Sequence, residues 1–204
     1  MTDSEILSEV RRCIGVEADS LIKLRSELDE VAVLSVAKAL MDCRGKIIIS
    51  GCGTSAMAAR KIAHSLCCIE IPALFLDPAD AVHGGLGVLQ AEDILILISK
   101  GGGTQELLRL IPACRTKGST LIAVSENRDS PLAQSADIYL PVRVEREPCR
   151  FNMLATASTL AVISIFDAIC IALMQMTGYT KEQFAVIHPA GAVGDRLLHG
   201  QDRS

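Results

Sequence analysis

Two glycine-rich stretches, each carrying hydroxyl side chains and each opening a helix, supply the donors that an anionic group requires. The first is Ser50-Gly51-Cys52-Gly53-Thr54-Ser55, and the second is Ser99-Lys100-Gly101-Gly102-Gly103-Thr104. Glycine lets the backbone come close to a ligand and adopt conformations that other residues avoid. The helix that follows each stretch presents free N–H groups and the positive end of its dipole. With hydroxyls added, this is phosphate-binding chemistry. The expected phosphate contacts are Gly53, Thr54 and Ser55 in the first loop, and Ser99, Lys100, Gly101, Gly102, Gly103 and Thr104 in the second. Lys100 adds a positive charge.

The first loop also admits other readings. Gly51, Gly53 and Ala56 satisfy the G-x-G-x-x-G/A dinucleotide pattern. That pattern wants an acidic residue about 20 positions on, at the end of the second strand, where Asp77 stands. A nicotinamide-dependent enzyme therefore stays open on this loop alone, and so does a bare turn required by strand-to-helix packing. The second loop separates them. A dinucleotide fold has no standard need for it, whereas a site that wraps one phosphate from two sides does.

The elements that must position these loops alternate. Strands are read at 46–50, 71–76, 93–99, 120–124 and 138–142, with helices at 55–68 and 104–117 between them. Residues 4–42 read as helix, broken at Gly15, and form an N-terminal segment (1–42) packing on a core domain (43–204). A long apolar helix over 152–176, a short one near 181–185 and a last one starting near Gly191 complete the chain. Strand–helix alternation predicts an α/β fold with a doubly wound, five-stranded parallel sheet flanked by helices, flavodoxin-like or Rossmann-like. In such sheets ligands lie beyond the carboxyl ends of the strands, where strand order reverses.

The totals exclude several classes. The chain has 204 residues, a formal net charge of −4, 3% aromatics and no Trp. That is not the footprint of a nucleic-acid binder. Eight cysteines without C-x-x-C spacing read as reduced thiols in a cytoplasmic protein. The polar start, Met1 to Arg12, gives no expectation of a signal peptide. The apolar run 152–176 is long enough to span a bilayer. Thr156, Ser158, Thr159, Ser164 and Asp167 interrupt it, so a core or interface helix is expected instead, with no membrane partner.

The two loops resemble elements of the sugar isomerase (SIS) family, G-x-G-x-S and S-x-S-G-x-T, with Gly101 in place of the middle serine. Three further segments are similar to those of arabinose 5-phosphate isomerases: residues 77–87, Glu147-Pro148-Cys149, and His188-Pro189-Ala190-Gly191-Ala192-Val193-Gly194. Those isomerases often carry a C-terminal CBS pair, which is not expected here. The resemblance implies a phosphorylated-sugar ligand and a homotetramer or homodimer; no cofactor and no metal are expected. It implies an aldose–ketose isomerase working through an enediol. Glu147, in the loop after the fifth strand, is then the proton-transfer base, and His188 is the ring-opening acid/base, in its own cleft or a neighbour's. His83 matches a histidine that lies near the substrate or a metal in the family, and one histidine is not a metal site.

Two positions depart from the isomerase pattern. Thr54 stands where a lysine is expected, and Gly103 where a glutamate is expected. Backbone and hydroxyl donors still support phosphate binding, and Lys100 or Arg150 is available to replace the charge. The departures keep a second reading alongside the first, a phosphosugar sensor without turnover.

Overall fold

In the computed structural model, which describes residues 1–190, β1 (Ile47–Gly51) and β3 (Ile94–Ile98) are buried along their whole length. A parallel strand covered on both faces must be apolar throughout rather than alternating, and Ile-Ile-Ile and Ile-Leu-Ile-Leu-Ile are such runs. β2 (Ala73–Phe75), β4 (Thr120–Ser125) and β5 (Ile138–Pro141) complete a five-stranded sheet in the order β2-β1-β3-β4-β5. Every pairing is parallel. One apolar cluster lies on each face: Ile47, Ile49, Ile96 and Val124 belong to one, and Ile48, Leu95, Leu97 and Leu121 to the other. The doubly wound α/β expectation holds. Strand order reverses between β1 and β3, whose register sets Gly51 beside Ile98. The two glycine loops therefore leave neighbouring strands side by side.

Helices differ from expectation in informative ways. α1 (Asp3–Ser26) starts at a Thr2/Glu5 capping box and runs through Gly15 without a break. A mid-helix glycine costs only about 1 kcal/mol, which the turns around it outweigh. The break falls at residues 27–29, where Asp29 accepts a hydrogen bond from Ala32 N (3.0 Å) and starts α2 (Glu30–Asp42). α3 (Thr54–Cys67) follows β1. The helix expected over 104–117 is two pieces, α5 (Gln105–Leu108) and α6 (Ile111–Lys117). Pro112 lacks the N–H that would bond to Leu108 and crowds that carbonyl. The connection after β2 holds a helical turn, α4 (Pro78–Ala81), and a 3-10 turn over 85–88, neither read from the sequence. α7 (Pro131–Gln134) precedes β5.

The long apolar helix, α8 (Ala157–Thr177), begins five residues later than the sequence suggests. By length and composition alone it is apolar enough to cross a membrane. Here it packs against the sheet and α3 through Ala161, Ile165, Phe166, Ile169 and Leu173. Its one charge, Asp167, pairs with Lys61 of α3. α1 lies along α8, and Arg12 of α1 donates to Pro148 O (2.6 Å) in the loop after β5. α9 (Lys181–Ile187) ends at His188. The helix expected near Gly191 lies outside the described residues.

Candidate functional site

A cavity of about 110 Å³ opens at the carboxyl end of the sheet, above the point where strand order reverses. Its floor is Ile98, Val124 and Val142, at the ends of β3, β4 and β5. One wall is the first turn of α3, with Thr54 and Ser55. The opposite wall is the first turn of α8, with Ser158 and Thr159. Ser125 and Lys100 close the rim. Two helix N-termini thus flank one cleft; that of α3, with no acidic residue in its first turn, favours a negative ligand, whereas that of α8 is taken by the Glu147 carboxylate.

The first loop is shaped by Gly53, at φ +58° and ψ −128°, which L side chains rarely adopt. Ser55 N bonds to Cys52 O (3.1 Å) and Ala56 N to Gly53 O (3.0 Å), so the turn is tight. In the second loop Ser99 is buried and its hydroxyl is already engaged. It accepts from Gly102 N (3.1 Å) and bonds Thr104 Oγ1 (2.8 Å). Gly102 has φ +70°, and a Cβ there would lie 2.0 Å from Ser130 Oγ, so only glycine fits against α7. Gly102 O also accepts from Leu132 N (3.2 Å). Ser99, Gly102 and Thr104 therefore build the loop, whereas Lys100 projects into the cleft.

Glu147 is fully buried rather than a solvated loop carboxylate. Oε1 accepts from Lys100 Nζ (2.8 Å), and Oε2 accepts from the backbone N–H groups of Thr156 (3.0 Å) and Ser158 (3.4 Å). Asn152, at φ +56°, holds the backbone of Glu147 through a 2.6 Å bond from Glu147 N to its Oδ1. Glu147 thus caps α8 from outside the helix, which explains why that helix starts only at Ala157. Burial pushes the Glu147 carboxyl upward, but Lys100, Ser158 and Thr156 together outweigh it, and the net displacement is below the ordinary value. The carboxylate is ionised at neutral pH and in contact with the one charged side chain among the described residues lining the cavity.

Thr54, Ser55 and Lys100 line the cavity and Glu147 sits behind Lys100; Gly53, Ser99, Gly101, Gly102, Gly103 and Thr104 shape the loops around it. His83 is exposed in the connection after β2 and does not line the cavity. His188 is not brought to Glu147 within one chain. α8, at 21 residues about 30 Å long, separates them. His188 stacks on Phe184 (3.9 Å between centroids), and Gln183 of the same short helix contacts Glu70, beyond the end of α3. Arg150 lies over the Phe151 ring (4.6 Å) outside the cavity, so of the two cations considered from the sequence only Lys100 enters it. Asp77 caps α4 by accepting from Ala79 N (2.9 Å). Ser125, Ser158 and Thr159 were not read as site residues. The last two are the same hydroxyls that interrupt the apolar run, and their spacing just after a strand-end loop was the available signal.

The fold defines a doubly wound α/β protein, with a cleft between two helix N-termini at its switch point. Residues 39–177 match the SIS domain family, and the chain belongs to that family. It is 36% identical over 196 residues to the arabinose 5-phosphate isomerase KpsF of Escherichia coli O6:H1, a match covering 96% of this chain and 60% of that one. The chain spans about 60% of the length of the curated relatives it matches. A proposed sugar-phosphate isomerase of Listeria monocytogenes has a solved structure that superposes with a TM-score of 0.92. The two are 57% identical, and the match covers 93% of this chain and all (100%) of that one. An Escherichia coli CFT073 protein in complex with arabinose 5-phosphate superposes with a TM-score of 0.89 at 28% identity, over 93% of this chain and 100% of that one.

Proposed function

We propose that this chain is a sugar-phosphate aldose–ketose isomerase of the arabinose 5-phosphate isomerase type, acting through an enediol. The observation that carries the reading is the ionised, buried Glu147 beside Lys100, at the rim of a hydroxyl-lined cavity between two helix N-termini. Thr54 and Ser55 at the start of α3 take the phosphate. Glu147 moves the proton between C2 and C1. Similarity to relatives named as arabinose 5-phosphate isomerases, and to a structure solved with arabinose 5-phosphate, supports the substrate class.

The cavity of about 110 Å³ is smaller than the usual small-molecule cleft of about 300–1,000 Å³. That speaks against a whole dinucleotide and for a site completed by another surface. His188, beyond the far end of α8, acts in this reading on the cleft of a neighbouring copy. An apolar groove between α1, α2 and α8, lined by Leu24, Leu28, Leu34, Ile165, Ala172 and Met176, fits assembly into a homodimer or homotetramer. The reading places the protein in the cytoplasm.

Glu147→Gln tests the assignment: it should abolish turnover of a pentose or hexose phosphate while leaving phosphosugar binding in place. Equal activity in that variant removes Glu147 from the chemistry. Thr54 and Gly103, standing where the isomerases carry Lys and Glu, favour a second reading, a phosphosugar-binding sensor. Wild-type protein that binds a panel of sugar phosphates and isomerises none of them selects it.

A further inference from the structure

We infer that the Lys100 ammonium is the group that meets the negative charge developing on the sugar oxygens, so that this chain carries its catalytic cation on the loop after β3. The inference rests on the isomerase reading and assigns a role to a residue that reading leaves without one.

Lys100 is the charged side chain that lines the cavity among the described residues, and its side chain is 36% exposed. Glu147 holds its ammonium at 2.8 Å, and Glu147 is itself fixed by two N–H groups of α8. The Lys100 carbonyl accepts from Glu126 N (2.9 Å), so the backbone beneath the side chain is fixed as well.

This pairing makes Lys100 a poor site for the phosphate. An ammonium already compensated by a carboxylate in contact offers little net charge to a dianion, and that carboxylate repels it. The α3 N-terminus, with Thr54 and Ser55 and no acidic residue in its first turn, is the better phosphate site. The same pairing suits an oxyanion that appears only as the carboxylate loses its charge. When Glu147 takes the C2 proton, the C–H electron pair becomes the C1=C2 bond and the carbonyl π pair moves to O1. Negative charge leaves Glu147 and arrives on O1. An ammonium touching both places is in contact with that charge before and after the step. The O2 hydroxyl proton then passes to O1, Glu147 returns its proton to C1, and the C2 carbonyl forms. The ammonium is fixed in place and meets the charge wherever it stands, so the transfer needs no reorganisation of the site around it.

The test compares two ligands of the same length. One is a phosphorylated hydroxamic acid, whose head in its ionised form copies an enediolate. The other is a pentitol phosphate, whose head is neutral. Wild-type protein should bind the hydroxamate more tightly. Lys100→Met should lose about 10²-fold in hydroxamate affinity, the loss typical of one oxyanion donor, and change pentitol phosphate affinity by less than about threefold. The double variant Lys100→Met/Glu147→Gln, which leaves no buried charge unpaired, should show the same selective loss and serves where the single variant folds poorly. A hydroxamate preference that survives in both variants overturns the role of Lys100 and leaves the isomerase reading standing. Parallel loss of both ligands overturns it too, by making Lys100 a phosphate contact. Wild-type protein with no hydroxamate preference and no turnover overturns the isomerase reading itself, and the inference with it.

Discussion

Lys100→Met should cost the fold more than Glu147→Gln, although both changes break the same ion pair. The two partners differ in what remains after the other is gone. The Glu147 side chain is 0% exposed and that of Lys100 is 36% exposed. Removing Lys100 strands a carboxylate away from water with two backbone N–H partners. Breaking a buried pair in this way costs about 3 kcal/mol, which for a chain of this size lowers Tm by about 6–12 °C. Removing the charge of Glu147 leaves an ammonium that rehydrates and an amide that still accepts from α8. The loss is then closer to that of a helix cap, about 1 kcal/mol. The double variant should regain most of the Lys100→Met deficit.

Acidity supplies a second handle on the same prediction. The folded-state pKa of Glu147 in the wild type is depressed below its ordinary 4.5, so its stabilisation is present above 4.5 and lost as pH falls through the lower folded value. In Lys100→Met only the Thr156 and Ser158 N–H groups still oppose burial, so the folded value moves up from that of the wild type, and the penalty grows as pH rises through that window. Urea unfolding at about pH 7 and again at about pH 5 should therefore show the gap between variant and wild type shrinking in acid. Equal losses for the two single variants, or a gap that ignores pH, would refute the argument that burial is what distinguishes the partners.

Gly102→Ala should destabilise by about 1–3 kcal/mol in the same unfolding assay, from its φ of +70° and its contact with Ser130, whereas Gly101→Ala, with nothing within 4 Å of its Cβ, should be near neutral. Asp93 is 2% exposed and accepts from Lys46 N, Lys46 Nζ and Gln90 N. Asp93→Ala should cost about 1–3 kcal/mol by thermal unfolding, since it leaves the N–H groups of Lys46 and Gln90 without their acceptor. Alkylation followed by mass spectrometry should label Cys149 ahead of Cys114 and Cys170. Leu154 N and Met153 N donate to the Cys149 sulfur and lower its pKa, burial raises that of Cys114, and burial pushes Cys170 up to about 11. Mixing Glu147→Gln with His188→Ala chains, each inactive alone, should restore isomerase activity if His188 serves a neighbour's cleft; no recovery in verified mixed assemblies would remove that role.

What the sequence disclosed follows from how local each signal was. Ile-Ile-Ile before Gly51 and Ile-Leu-Ile-Leu-Ile before Ser99 declare buried strands that end in glycine loops, and nothing distant alters them. The start of α8 was misplaced because its cap comes from Glu147, nine residues before the Thr156 amide it accepts from. The contact between Lys100 and Glu147 joins positions 47 apart and has no periodicity to betray it. Ser99 and Thr104 were legible as loop hydroxyls, yet whether such a group faces a ligand or its own backbone is decided by three-dimensional closure. Gly15 misled because a glycine punctuates a short helix more readily than one of 24 residues.

The loop over residues 99–104 is fastened at four points: within itself through Ser99, to Glu126 through the Lys100 carbonyl, to Ser130 by the close fit of Gly102, and to Leu132. Its shape is therefore settled when the chain folds, not each time a molecule arrives. An incoming ligand gives up its own freedom but asks for none from this wall, so weak individual contacts translate more fully into residence on the protein.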